Sequence, residues 1–166
     1  MTDKYTSSVL LTSNVNITPN RIEQDINRTI LEILKKRYEG VCNKDGYIIK
    51  DSVQLVKRSI GQIKTINNTS FVNFNVTYTS DIILPSVDSI YESHIETKNK
   101  LGIISYIKLN DSDDMKDSPF IIITPKEYIS EDDFNSLQIN DKIKIKVKSF
   151  RIKYLSKHIQ IVSVLV

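Results

Sequence analysis

The sequence predicts an α+β chain: a small N-terminal sheet with one long helix, followed by a C-terminal five-stranded barrel. Three observations predict it. Within the first 40 residues one stretch repeats its apolar residues at helical spacing; residues 70–83 alternate apolar and polar; five short β-rich runs follow Pro85.

Residues 9–17 are short and β-branched and read as the first strand. The helix follows in ITPNRIEQDINRTILEILKKRYEG. Thr18 offers a cap, Pro19 fits the first helical position, where no N–H is needed, and Glu23 and Asp25 lie toward the positive end of the dipole. Ile22, Ile26, Ile30, Ile33 and Leu34 form one stripe, Lys35, Lys36 and Arg37 crowd the last turn, and Gly40 supplies a left-handed stop. The expectation is a helix over residues 19–39. Residues 47–56 and 70–83 read as β. In the second run Val72, Phe74, Val76 and Tyr78 share one face, with Asn73, Asn75, Thr77 and Thr79 on the other. Between them KRSIGQIKTINN is polar, contains Gly61, and reads as a projecting loop. Pro85 marks a boundary, giving domains 1–84 and 85–166.

Beyond Pro85 the pattern is β over residues 88–98, 101–109, 119–124, 141–154 and 158–166, with a helical or loop excursion over 125–139. Five short strands with an excursion after the third fit a small barrel of the OB type. Residues 111–118 read as an acidic, solvated loop.

Net charge is only +3, but charge is segregated: residues 111–133 hold eight acids and two lysines, whereas residues 142–157 hold seven bases and no acid. In the basic segment Lys142, Lys144, Lys146 and Lys148 alternate with Ile143, Ile145 and Val147, and Arg151, Lys153, Tyr154 and Lys157 follow. The alternation directs the lysines outward and the aliphatics inward. Three readings of this row stay open: it tracks phosphates with Tyr154 stacking a base, it protects a sheet edge from association, or it faces an acidic protein surface.

Catalytic and metal chemistry find little support. His94 and His158 lack ligand spacing, and Cys42, the one cysteine, reads as a small half-buried hydrophobe. The stretch Gly61-Gln62-Ile63-Lys64-Thr65 lacks the paired glycines and Gly-Lys-Ser/Thr of a phosphate loop, and Glu131, Asp132 and Asp133 read as a helix start. No cofactor and no enzymatic activity are expected. Without a signal-peptide pattern or a membrane-length apolar run, the expectation is an intracellular protein with no membrane partner.

Residues 15–49 carry a family resemblance. Thr18-Pro19-Asn20, then Leu34-Lys35-Lys36-Arg37-Tyr38-Glu39-Gly40, then Gly46-Tyr47-Ile48-Ile49 resemble the first domain of the stalk subunit of multisubunit RNA polymerases. That family includes the seventh subunit of eukaryotic RNA polymerase II and its archaeal counterpart. Residues 70–85 are similar to its strand leading into a proline hinge, and Gly102-Ile103-Ile104-Ser105-Tyr106-Ile107 to a strand of its barrel. Of the glycines usual in the family's tip loop only Gly61 is kept, and a Gly-Leu-X-His stretch has no counterpart. The divergence and the Ile, Lys and Asn bias suggest a large DNA virus encoding its own polymerase, with an AT-rich eukaryote second.

The resemblance implies a truncated RNP-like tip domain followed by an OB barrel, in a non-catalytic polymerase subunit. It implies docking on the core, against the largest subunit and the small subunit at the clamp base, through the 57–65 segment with Ile60, Gly61, Ile63 and Lys64. It implies nascent RNA on the row Lys142, Lys144, Lys146, Lys148, Arg151, Lys153, Tyr154 and Lys157. A small stalk partner subunit stays open. Localisation would follow the polymerase: virion and cytoplasmic viral factory if viral, nucleus if cellular. The competing classes are a free single-stranded RNA-binding OB protein serving translation or RNA decay, and a purely structural subunit without RNA contact.

Overall fold

The computed structural model describes residues 5–22 and 25–166, which form two compact units. One comprises Ser7–Glu39 and Ile48–Ile82; the other takes in Tyr5 and Thr6, Gly40–Tyr47 and Ile83–Val166. The changeover at Ile82 and Ile83 lies beside the expected boundary at Pro85. The Gly40–Tyr47 segment, expected within 1–84, belongs to the second unit.

The early elements are β1 (Thr6–Ile17), α1 (Ile26–Tyr38), β2 (Cys42–Asn43), β3 (Gly46–Ile48), β4 (Gln54–Arg58), β5 (Gln62–Ile66) and β6 (Thr69–Ile83). β1 and β6 are neighbours, and β4 and β5 both pair antiparallel with β6. The predicted alternation of β6 is realised: Phe74, Val76 and Tyr78 are buried with Val15, Ile17, Ile30 and Leu34, and Ile22, Ile26 and Ile33 pack at the margin. Each fully buried aliphatic side chain here contributes about 1.5–3 kcal/mol.

The helix begins later than residue 19. Pro19–Arg21 is a single 3-10 turn, and Thr18 makes no capping bond; its hydroxyl donates to Asn20 Oδ1 at 2.6 Å. Asp25 is the cap, its Oδ1 accepting from the N–H groups of Asn27 (3.1 Å) and Arg28 (3.4 Å). Glu23, expected in the first turn, lies outside the described residues. At the other end Gly40 takes φ 73, the left-handed stop the sequence predicts. The expected strand over 47–56 is two strands, because the chain turns between β3 and β4 with Asp51 at φ 60.

The expected projecting loop over 57–68 is also mostly strand. Lys57 and Arg58 belong to β4 and Gln62–Ile66 forms β5, which hairpins onto β6 through Asn67 and Asn68 at φ 50 and 61. Asparagine tolerates the positive φ that tight hairpin turns require.

The second unit contains β7 (Ile90–Asn99), β8 (Gly102–Tyr106), β9 (Phe120–Pro125), α2 (Glu131–Ser136), β10 (Lys142–Arg151) and β11 (Ile159–Leu165). The strands close into a barrel in the order β7-β8-β9-β11-β10, and the β9–β11 pair is the parallel one. Each predicted run after Pro85 becomes a strand within a few residues of its expected ends. Gly102 is required where β8 begins: its φ is 146, and a Cβ would lie 2.3 Å from the Thr124 carbonyl oxygen. Inside, Ile95, Ile103, Phe120, Ile122, Ile145 and Ile161 are fully buried, and Tyr91 meets Phe120 edge-on at 5.4 Å. Ser130 caps α2 by accepting from the Asp133 N–H at 3.1 Å, so Glu131, Asp132 and Asp133 form its first turn.

Candidate nucleic-acid interface

Along β10 the side chains alternate as predicted. Ile143, Ile145 and Val147 are buried, while Lys142, Lys144 and Lys148 are exposed and Lys146 is partly so. β10 is no free edge. It pairs with β7 from Lys142 to Lys146 and with β11 from Ile145 to Arg151, so edge protection loses its physical basis for the central lysines.

The row is not one uniform comb. The register slips between Val147 and Ser149, which makes Lys148 the extra residue of a bulge, and its Nζ lies 4.6 Å from the centre of the Tyr128 ring. Lys146 Nζ pairs with Asp88 Oδ1 at 2.9 Å, and Lys144 stands opposite Glu92 in the β7 register. Arg151 ends the strand. Lys153, Tyr154 and Lys157 belong to the connection into β11, where Tyr154 is 63% exposed.

That connection is pinned from below. The Cys42 N–H donates to the Ser156 carbonyl and the Leu155 N–H to the Cys42 carbonyl, both at 2.8 Å, with Leu155 itself at φ 60. The β2–β3 hairpin, with Cys42 opposite Tyr47, therefore supports the loop that presents Tyr154. Cys42 is buried, and desolvation pushes its thiol above the ordinary value, with a hydrogen bond to the Ser156 side chain pulling the other way.

Sequence reasoning missed a cluster on the outer face of β7 and β8. His94 lies opposite Lys142 on one side and Tyr106 on the other, and its ring centre is 6.0 Å from that of Tyr106. Lys108 Nζ lies 6.0 Å from the Tyr106 ring centre. Burial lowers the His94 pKa, Lys108 and Lys142 lower it further, and Glu92 opposes them. Alternation alone places His94 on the outer face, but nothing in the sequence gives the register that sets it beside Lys142 and Tyr106. His158 is partly buried, its Nδ1 2.7 Å from the Ser118 carbonyl.

In the unit that contains α1, Ile60 and Ile63 are 87% and 80% exposed, which excludes their folding back onto the domain. Ile60 occupies the break between β4 and β5; Ile63 and Lys64 lie on β5, opposite Val72 and Phe71. Gly61 permits close packing between them: a Cβ there would lie 2.6 Å from Val72 Cγ1 and 2.9 Å from the Phe74 ring. Val56 and Ile66, which the sequence did not single out, are also exposed. Among the described residues no three His, Cys, Asp or Glu side chains are grouped to hold a metal ion, and no helix is long and apolar enough to cross a membrane.

Compared with protein-family models and with curated proteins, the chain matches none.

Proposed function

We propose that the chain is a non-catalytic stalk subunit of a DNA-dependent RNA polymerase, docking on the core through the 57–65 segment with Ile60, Gly61, Ile63 and Lys64, and guiding nascent RNA with its barrel. The observation that carries this reading is the exposure of Ile60 and Ile63, with Val56 and Ile66 exposed on the same ribbon. Burying each against a partner would gain about 1.5–3 kcal/mol, which an isolated protein leaves unused. The partners are the largest polymerase subunit and the small subunit at the clamp base, with a small stalk subunit as a further one; location follows the polymerase.

The strand order, the parallel β9–β11 pair and the position of α2 between the third and fourth barrel strands support an OB-type barrel. The connection between its last two strands, which carries Lys153, Tyr154 and Lys157, is one of the loops through which such barrels bind oligonucleotides. Attachment to a polymerase raises the local RNA concentration, so weak contacts suffice.

A second reading, a free single-stranded RNA-binding protein, is favoured by the fact that β10, the Tyr154 loop and its supporting hairpin all belong to one unit. Tagged protein carrying Ile60→Asp and Ile63→Asp separates the two. Under the stalk reading the wild type recovers large polymerase subunits at moderate salt and the double variant does not, although it stays folded. Recovery by both, or by neither, counts against docking through these residues.

A further inference from the structure

We propose that the outer face where β7, β8 and β10 meet holds a phosphate of single-stranded RNA between Lys108 and Lys142, and that His94 takes up a proton as it binds. The inference rests on the RNA-binding reading above and deepens it, naming a subsite and its response to pH.

Three strands bring the groups together. His94 stands directly opposite Lys142 on β10 and Tyr106 on β8, and side chains so paired have Cβ atoms roughly 4.5–5.5 Å apart. Tyr106 is buried at the back of the cluster, with the His94 ring and the Lys108 ammonium against it. His94 Nδ1 is buried and has no hydrogen-bond partner, which is unusual for a polar atom out of contact with water.

The charges acting on His94 come from each of the three strands. Burial, and after it Lys108, following β8, and Lys142, on β10, disfavour the imidazolium; Glu92, on the same strand as His94, acts the other way. Glu92 is itself opposite Lys144. Two ammonium groups flanking a neutral imidazole suit an anion. A phosphodiester placed there neutralises the cations that disfavour the imidazolium and adds a negative charge that favours it. The His94 pKa is then higher in the complex than in the free protein. Binding takes up a proton, so affinity rises as pH falls through the window between the free and bound values. Lys108 and Lys142 also differ from the middle of the row, where Lys146 is already paired with Asp88.

The test uses the full chain and a fluorescent single-stranded oligouridylate at constant ionic strength, with anisotropy read between about pH 5.5 and about pH 7.5. A bound-state rise of one pKa unit makes binding up to about tenfold tighter, the full factor being reached only below both the free and the bound value. His94→Gln should abolish the gain in affinity toward lower pH, leaving its binding flat across the range. His158→Gln, which removes the only other histidine, should keep the gain. In NMR the His94 imidazole should titrate at higher pH with the oligonucleotide than without it. Lys108→Gln and Lys142→Gln should each weaken binding and lower the salt slope by about one. Binding that is flat with pH in the wild type, or a pH dependence that survives His94→Gln, overturns the proposal and leaves RNA binding standing. No binding at any pH removes both.

Discussion

Lys146 Nζ sits 2.9 Å from Asp88 Oδ1, so one lysine in the middle of the basic row is engaged within the chain. Asp88 holds φ 67, a left-handed conformation that asparagine accepts and most residues do not. Asp88→Asn therefore keeps the backbone and releases the ammonium. Affinity for single-stranded RNA should rise a few-fold and the salt slope steepen by about one, while stability changes by about 1 kcal/mol or less. Anisotropy titrations at several salt concentrations check it.

Gly102 and Gly61 should respond unequally to alanine. Gly102→Ala meets a backbone carbonyl at 2.3 Å in a conformation unfavourable to any side chain, so neither partner gives way easily. Gly61→Ala meets side-chain atoms of Val72 and Phe74 and should cost about 1–3 kcal/mol. Urea denaturation should rank Gly102→Ala as the more damaging.

Capping of α1 gives a sharper test of where the helix begins. Asp25→Ala removes the acceptor of two N–H groups and should cost about 0.5–2 kcal/mol. Thr18→Ala should cost much less, since its hydroxyl contacts only Asn20. If the two costs are reversed in thermal unfolding, the helix starts at residue 19.

Cys42 makes the barrel-bearing unit sensitive to alkali. Its thiol is raised above the ordinary value by burial, so the fold favours the neutral form. The contribution is whole below the unfolded thiol value and is lost as pH climbs through the folded one. Between about pH 8 and about pH 10 the wild type should lose more stability than Cys42→Ala, and native Cys42 should react with iodoacetamide more slowly than the unfolded thiol.

What could be read from the sequence was what depends on short-range spacing. The Ile22 to Leu34 stripe, the stop at Gly40 and the alternation of Lys and Ile in β10 all sit where the pattern puts them. The start of α1 misled because Thr18-Pro19 carries a full helix-start signature yet opens only a 3-10 turn, while the cap falls to Asp25. The β5–β6 hairpin hid behind a polar composition whose turn is Asn67-Asn68 rather than the stronger Asn-Gly signal. The grouping of His94, Tyr106, Lys108 and Lys142 was out of reach because it depends on strand register, which distant pairing decides.

The hydrogen bonds joining Cys42 to Leu155 and Ser156 also set an order of events during synthesis. The N-terminal half of that contact leaves the ribosome more than a hundred residues before its partner. At roughly 5–20 residues per second, the hairpin around Cys42 waits on the order of ten seconds for the loop it supports. A fragment beginning at Ile83 would contain every barrel strand yet lack that support, and the Tyr154 loop would be its least ordered part. β11, the last of the five barrel strands in chain order, closes the barrel against β9 and β10 and fixes one end of that loop. The surface around Tyr154 is thus finished only once β11 has emerged.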